Sequence, residues 1–253
     1  MSASVEAKQY VAPGTGLHSF IGWSLLIIFG PVLFIILTVI TYGIFLIALI
    51  IGGLTYFSRV RHMKAKLRGS ALQVNENQFP EIHRSTLAMS ERLGLSECPE
   101  IYILEDNHQN AFALKKGSKR YIVLVDDIIY GAMATGDSGA LDFILGHELA
   151  HHALGHTSFF RSMIRSKYTP LSRLDELSCD GVAHALVGNK AAARDALALL
   201  LVGPQLFKSV NKEALDHQAR EVIDDKYTKK VERHLSHPLL LHRYARLQEL
   251  SGN

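Results

Sequence analysis

Hydrophobic and polar positions divide the chain into an apolar early region and a patterned remainder. The apolar region runs from Leu17 to Val60, and between Phe20 and Phe57 it holds no charged residue, Asn, Gln or His. A helix over that stretch would be about 57 Å long, nearly twice a hydrocarbon core of about 30 Å. Two spans folded at Thr38–Gly43 are therefore predicted, with Gly30-Pro31 a kink in the first; a single steep or re-entrant segment is the alternative. The run is too long for a cleaved signal peptide and follows 16 ordinary residues. Arg59, Arg61, Lys64, Lys66 and Arg68 come directly after it. Such a basic cluster stays cytoplasmic, so a hairpin leaves the N-terminus and the rest of the chain on that side.

Beyond the run the periodicity changes. Phe79-Pro80-Glu81 opens a helical stretch to Leu93, closed by Gly94. Ile101–Leu104, Ala111–Leu114 and Tyr121–Val125 read as three strands, separated by Asp106–His108 and Lys116–Ser118, and predict a short antiparallel meander. Ala140 to Leu154 is apolar almost all round, as in a buried helix, with Ser138 or Asp137 available as its N-cap. From Asp175 onward the pattern is mostly helical, Ala/Leu-rich over Lys190–Val202 and more charged over Val210–Leu235. The fold class is α+β, mainly α: a tail over 1–16, a transmembrane hairpin over 17–60, and one folded domain over 61–253 with a small antiparallel sheet beside its central helix.

Inside that buried helix stand His147-Glu148-Leu149-Ala150-His151. Residues four apart on a helix share a face, so two imidazoles can grip one cation while the glutamate between them reaches the water bound to it. Catalytic zinc takes three protein ligands and keeps an open position for that water, which makes Glu148 the candidate general base. Thr157 and Leu154 stand where a metzincin would place its third histidine and the glycine before it, so that pattern fails. His152 and His156 are rotated away from His151 on a continuing helix. The better third ligand is Glu176, in a second helix reached through a loop containing Tyr168-Thr169-Pro170, with Asp180 one turn on to accept a hydrogen bond from a ligand imidazole. Glu221 and Asp225 repeat the E-x-x-x-D spacing and remain the other choice.

These residues resemble the membrane-associated zinc metallopeptidases that include the type 1 CAAX prenyl protease and the heat-shock protease HtpX. The resemblance covers about residues 70 to 250 and rests on four segments: Asn110-Ala111-Phe112, Ile144 to His151 with His156 beyond it, Glu176 to Asp180, and His237-Pro238 followed by Arg243 and Leu247. It implies a zincin-like domain with one zinc on His147, His151 and Glu176, Asp180 as orienter, and Asn110, Ala111, Phe112 and Arg243 at the substrate. His237, or less readily Arg243, would stabilise the oxyanion. It also implies peptide-bond hydrolysis in a bacterial inner membrane, in the setting of membrane-protein quality control. Cys179 departs from the family's alanine and, being small, is expected to pack without touching the ligands. The stretch between His151 and Glu176 carries Arg161, Arg165 and Lys167 and is too short to cross a bilayer as HtpX-like members do.

Charge and cysteine content add limits. The net charge of +3 is accounted for by the cluster beside the membrane and requires no nucleic acid; the partners expected are a peptide or protein substrate and the lipid bilayer. Cys98 and Cys179 show no C-x-x-C spacing, which fits a reducing compartment. Two other readings compete with the enzyme: a catalytically silent, membrane-anchored zinc-binding adaptor, disfavoured by the intact Glu148, and a transporter or scaffold, disfavoured by the lack of intramembrane ionisable residues. An edge of the sheet next to the central helix would let Asn110 to Ala113 hold an extended peptide through main-chain hydrogen bonds.

Overall fold

A computed structural model of the protein describes residues 3–105, 111–116, 119–133 and 138–250. The early residues lie against the domain that follows much later in sequence. The amide of Val5 donates to the carbonyl of Arg92 (2.8 Å), and that of Ala12 to the Ser178 hydroxyl (2.8 Å). Helix α1 (Thr15–Ser24) passes through a π-helical turn, Leu25–Phe29, into α2 (Gly30–Ile40). Pro31 brings no amide to the ladder, and widening the preceding turn is one way a helix absorbs such a residue. Thr15–Ile40 is thus a 26-residue apolar helix, long enough to cross a membrane, with mean hydropathy 2.6 over its most apolar 18 residues. Tyr42 and Gly43 take left-handed φ angles of 49° and 85°, breaking the helix before α3 (Ile44–Ser70). The break falls at the end of the predicted turn, and Phe34 meets Phe45 edge-on across it at 6.0 Å.

The sheet corrects one expectation. Strands β1 (Leu72–Gln73), β2 (Glu100–Leu104), β3 (Ala111–Lys116) and β4 (Lys119–Val125) lie in the order β1-β2-β4-β3. β4 pairs parallel with β2, Ile101 opposite Ile122, and antiparallel with β3, Phe112 opposite Val123. The sheet is mixed, where the sequence predicted an antiparallel meander. The physical reason lies in β4 itself: Tyr121 to Val125 is a continuous apolar run, which belongs at a centre covered on both faces. All five of its residues are buried. β3, carrying Lys115 and Lys116, takes the edge.

Helix α4 (Pro80–Arg92) starts at its proline, as predicted, and Gly94 ends the turn after it at φ 65°. After the sheet come α5 (Asp126–Met133), α6 (Gly139–Ala153), α7 (Phe159–Lys167), α8 (Thr169–Val187), α9 (Lys190–Val202), α10 (Pro204–Phe207), α11 (Lys212–Ile223), α12 (Lys226–Glu232) and α13 (Leu240–Leu250). α6 is the central post. Nearly every residue from Gly139 to His152 is buried, and Leu145, Leu149 and Ala150 are wholly enclosed in the core with Val182, Ala183 and Leu197. Ser138 occupies its N-cap, but the hydroxyl approaches Asp142 (3.3 Å) instead of the helix amides; Asp137 lies outside the described residues. The segment expected as a loop before Glu176 is α7 and the first turn of α8, which opens with Thr169-Pro170, proline being suited to a first helical turn.

α6 and α8 pack closely because Gly146 has no side chain. A Cβ there would lie 3.3 Å from the Cα of Ala183 and 3.3 Å from Leu186 Cδ1. That near approach puts the residue after Gly146, His147, within reach of the carboxylates of α8.

Candidate active site

The cleft over α6 is a cavity of about 210 Å³. β3 contributes Ala111, Phe112 and Ala113 to its wall, α6 contributes His147, Glu148 and His151, α8 Glu176, and the C-terminal part His237 and Arg243. Asn110 lies outside the described residues. Of the other positions named as ligand, base or substrate contact, His147, Glu148, His151, Glu176, Ala111, Phe112, His237 and Arg243 are brought to this one cavity, Asp180 stands behind it, and the alternative Glu221 lies elsewhere.

His147 Nε2 lies 3.2 Å from Glu176 Oε2, and His151 Nε2 lies 3.4 Å from Glu176 Oε1. These spacings test whether a metal fits. Donors about 2.0–2.2 Å from a tetrahedral zinc stand roughly 3.3–3.5 Å from one another. Each ring stands at close to that separation from a carboxylate oxygen, and all three residues are buried. The chemistry of the set agrees: two imidazoles and one carboxylate, with the cavity open beside them. Cys179 Sγ also comes within 4.8 Å of ligand atoms of both histidines, nearer than its expected role as inert packing. It is fully buried, however, and does not line the cavity, whereas Glu176 does.

Behind the rings stands a buried polar layer. His147 Nδ1 donates to Asp180 Oδ1 (2.9 Å), which fixes the ring with Nε2 toward Glu176. Asp180 is in turn gripped from two directions by Arg243, Nε to Oδ2 at 2.8 Å and a terminal nitrogen to Oδ1 at 2.6 Å. Burial would raise the Asp180 carboxyl, but Arg243 and His147 outweigh it and hold it at about 2. Burial likewise works against a charged His147, and hydrogen bonds to Asp180 and Glu176 overcome it, raising the ring to about 9.

His151 has a different support, one that helical projection missed. His156 is buried, with Nδ1 3.1 Å from His151 Nδ1 and Nε2 3.3 Å from Asp175 Oδ1. Gly155, at φ 76°, has already ended the helix, so the angle expected for His156 on a continued α6 does not apply. Asp175 is held by Arg161 (2.7 Å) and Arg165 (3.1 Å), and Arg165 also donates to Glu176 Oε1 at 2.8 Å. Sequence reasoning read these two arginines only as a bar to membrane crossing. Gly155 was the visible signal for His156; for the arginines the signal was their spacing of four, which puts both on one face of α7.

His152 ties α6 to the sheet, donating from Nε2 to the Tyr121 carbonyl (3.1 Å), and burial lowers its ring to about 4. His237 sits at the cleft mouth with Nε2 3.5 Å from Glu176 Oε1 and Nδ1 2.9 Å from the Ser236 hydroxyl. The repeated E-x-x-x-D spacing leads elsewhere: Glu221 is exposed beside His217, and Asp225 caps α12 through the amides of Tyr227 and Thr228.

Two imidazoles from adjacent turns, converging with a carboxylate under a cleft that also holds a glutamate, have the arrangement that an H-E-x-x-H metallopeptidase requires. Residues 76–169 match the family model of peptidase family M48, the family of HtpX and CAAX prenyl protease type zinc metallopeptidases. The matched segment contains the α6 pair and ends before Glu176, Asp180 and Arg243, whose place at the site rests on geometry. No curated protein and no solved structure matches the chain.

Proposed function

We propose that the protein is a membrane-anchored zinc-dependent endopeptidase. The observation that carries this reading is the facing of both Nε2 atoms on one carboxylate, at 3.2 and 3.4 Å, beneath a cleft lined by Glu148. His147, His151 and Glu176 would hold zinc, which when bound supplies Lewis acidity and an acidified water. Glu148 takes the proton of the attacking water and passes it to the leaving amine. Asp180, braced by Arg243, keeps the His147 ring in its ligating orientation, and His156 does the same for His151. His237, at the cleft mouth, is the group placed to donate to the developing oxyanion; Arg243 has its near donors turned onto Asp180. β3 is an edge strand on the cavity wall, so an extended peptide can add alongside Ala111 to Ala113.

The anchor reading, two spans over 17–60, has its own support. Val5 and Ala12, before the apolar run, bond to Arg92 and Ser178, after it. Both ends of the run therefore meet the same domain, which supports a hairpin or a re-entrant segment over a single straight crossing.

Glu148→Gln tests the enzyme. It keeps the three ligands and removes the base, so zinc content by atomic absorption stays at wild type while cleavage of an unstructured protein falls by about 10²–10⁴-fold. Undiminished turnover would end the mechanism. A silent adaptor would show zinc and no chelator-sensitive cleavage even in the wild type.

A further inference from the structure

We infer that α7 is an interfacial helix: its outer face lies in the boundary between acyl chains and headgroups, and docks the catalytic domain directly on the bilayer. This deepens the anchored reading above and rests on it. α7 is two-faced. Arg161, Ile164 and Arg165 turn inward, to Asp175, Glu176 and the flank of α1, while Phe159, Phe160 and Met163 are exposed on the other side. Phe159 and Phe160 are 59% and 55% exposed, a large apolar cost if water covers them.

What covers them follows from their neighbours. Phe160 meets Trp23 at a tilt at 6.3 Å and Phe159 meets Tyr56 edge-on at 6.0 Å, so the outer face of α7 touches both apolar limbs at one level. That level can be placed along the span. Below it, α1 packs on protein: a Cβ at Gly22 would lie 2.6 Å from Ile164 Cγ2, and His18 Nδ1 is 2.6 Å from the Tyr168 hydroxyl. Above it, Trp23 to Ile40 is about 27 Å of helix with no residue buried, close to one hydrocarbon thickness. On the returning limb Tyr56 stands three residues before Arg59, where basic residues begin. Trp23, Tyr56, Phe159 and Phe160 thus form an aromatic band where a membrane–water interface would fall. Lys167, exposed one turn beyond Met163, extends toward the headgroups. The same helix carries Arg165 into the cleft, so one wall of the site is fixed at the membrane surface.

The test uses depth-dependent quenching in the full chain, reconstituted in phosphatidylcholine/phosphatidylglycerol nanodiscs. Trp23 is the one tryptophan of the sequence, so a Trp23→Phe background accepts a single new probe at Phe160→Trp or Met163→Trp, with Leu33→Trp and Leu206→Trp as references. The expected result is loss of fluorescence at 160 and 163 to a spin label near the headgroup end of the acyl chain, less loss to one near its tip, and little to aqueous iodide. Position 206, exposed on α10, should respond to iodide alone, and position 33 to the deep label. Iodide quenching at 160 and 163 equal to that at 206 would overturn the docking. So would shielding from iodide without quenching by either lipid label, since protein would then cover the face. Deep quenching at 33 in those cases leaves the anchor standing, whereas its absence removes the anchor and the docking with it.

Discussion

Gly146 stands where α6 crosses α8, one residue before the first proposed zinc ligand, and enlarging it should part the ligands without touching them. In Gly146→Ala the new methyl meets the Ala183 Cα at 3.3 Å, backbone that cannot rotate aside, and Leu186 Cδ1 at the same distance. A glycine-to-alanine change inside a helix gains about 0.8–1 kcal/mol. Crowding a packed interface costs about 1–3 kcal/mol. The balance runs from about zero to 2 kcal/mol of destabilisation, and at roughly 2–4 °C per kcal/mol for a domain of this size Tm falls by no more than about 8 °C. Gly146→Leu adds atoms for which the interface has no room and must push α8 outward. Glu176 rides on that helix, two turns before Ala183, so its distance from His147 grows from 3.2 Å and zinc affinity drops by about 10–100-fold, the usual scale for losing ligand orientation. Gly69→Ala, where nothing lies within 4 Å of the added carbon, is the control and should be neutral or slightly stabilising. Thermal unfolding in detergent and chelator-competition titration of zinc read the two effects. If Gly146→Leu kept both wild-type Tm and wild-type affinity, the helix crossing would not set the ligand spacing.

Other consequences are checked more briefly. Asp180→Asn should weaken zinc binding by about 10–100-fold and, by leaving Arg243 buried without its counter-charge, cost about 3–5 kcal/mol; adding Arg243→Met should recover part of the stability but not the affinity, as a double-mutant cycle would register. His156→Ala should lower zinc affinity while His156→Asn, which keeps an acceptor near His151 Nδ1, restores part of it; equal loss in both would assign His156 to packing alone. Asp216, where Arg194, Tyr244 and Gln248 converge, should make stability depend on pH. Partial burial raises its carboxyl, but the hydrogen bonds from Arg194 and Tyr244 prevail and hold it below the ordinary value. Its stabilisation is therefore complete above the unfolded pKa of about 3.9 and is lost as pH falls through the lower folded value; Asp216→Asn should flatten Tm against pH over that acid range and leave it unchanged near neutrality.

What was legible in the sequence was mostly local. The α6 helix shows itself because its apolar positions run unbroken around a histidine pair four apart, and Glu176 with Asp180 because their spacing of four puts both on one face of α8. Strand order was not legible in the same way. β3 and β4 are near neighbours in sequence and pair antiparallel as expected, but only the tertiary fold decides that β4 also takes β2 as a parallel neighbour. The unbroken apolar run of Tyr121 to Val125 was the available clue, because a strand covered on both faces has no reason to alternate.

The supporting layer of the site was hidden for a related reason. His156 acts past the end of its helix, so a glycine with positive φ, not helical phase, decides where it points. Arg161 and Arg165 carry two meanings at once: as charges they forbid a membrane crossing, and as neighbours on one face of α7 they reach Asp175 and Glu176. A carboxylate as enclosed as Asp175 requires such partners, because its desolvation would otherwise drive it neutral. The buried acids of α8 could thus have been read as a demand for cations from another element. Placing the helix that answers it beside the apolar limbs puts the cleft next to them, and that juxtaposition makes the proposed membrane attachment and the geometry of the site two consequences of the same packing.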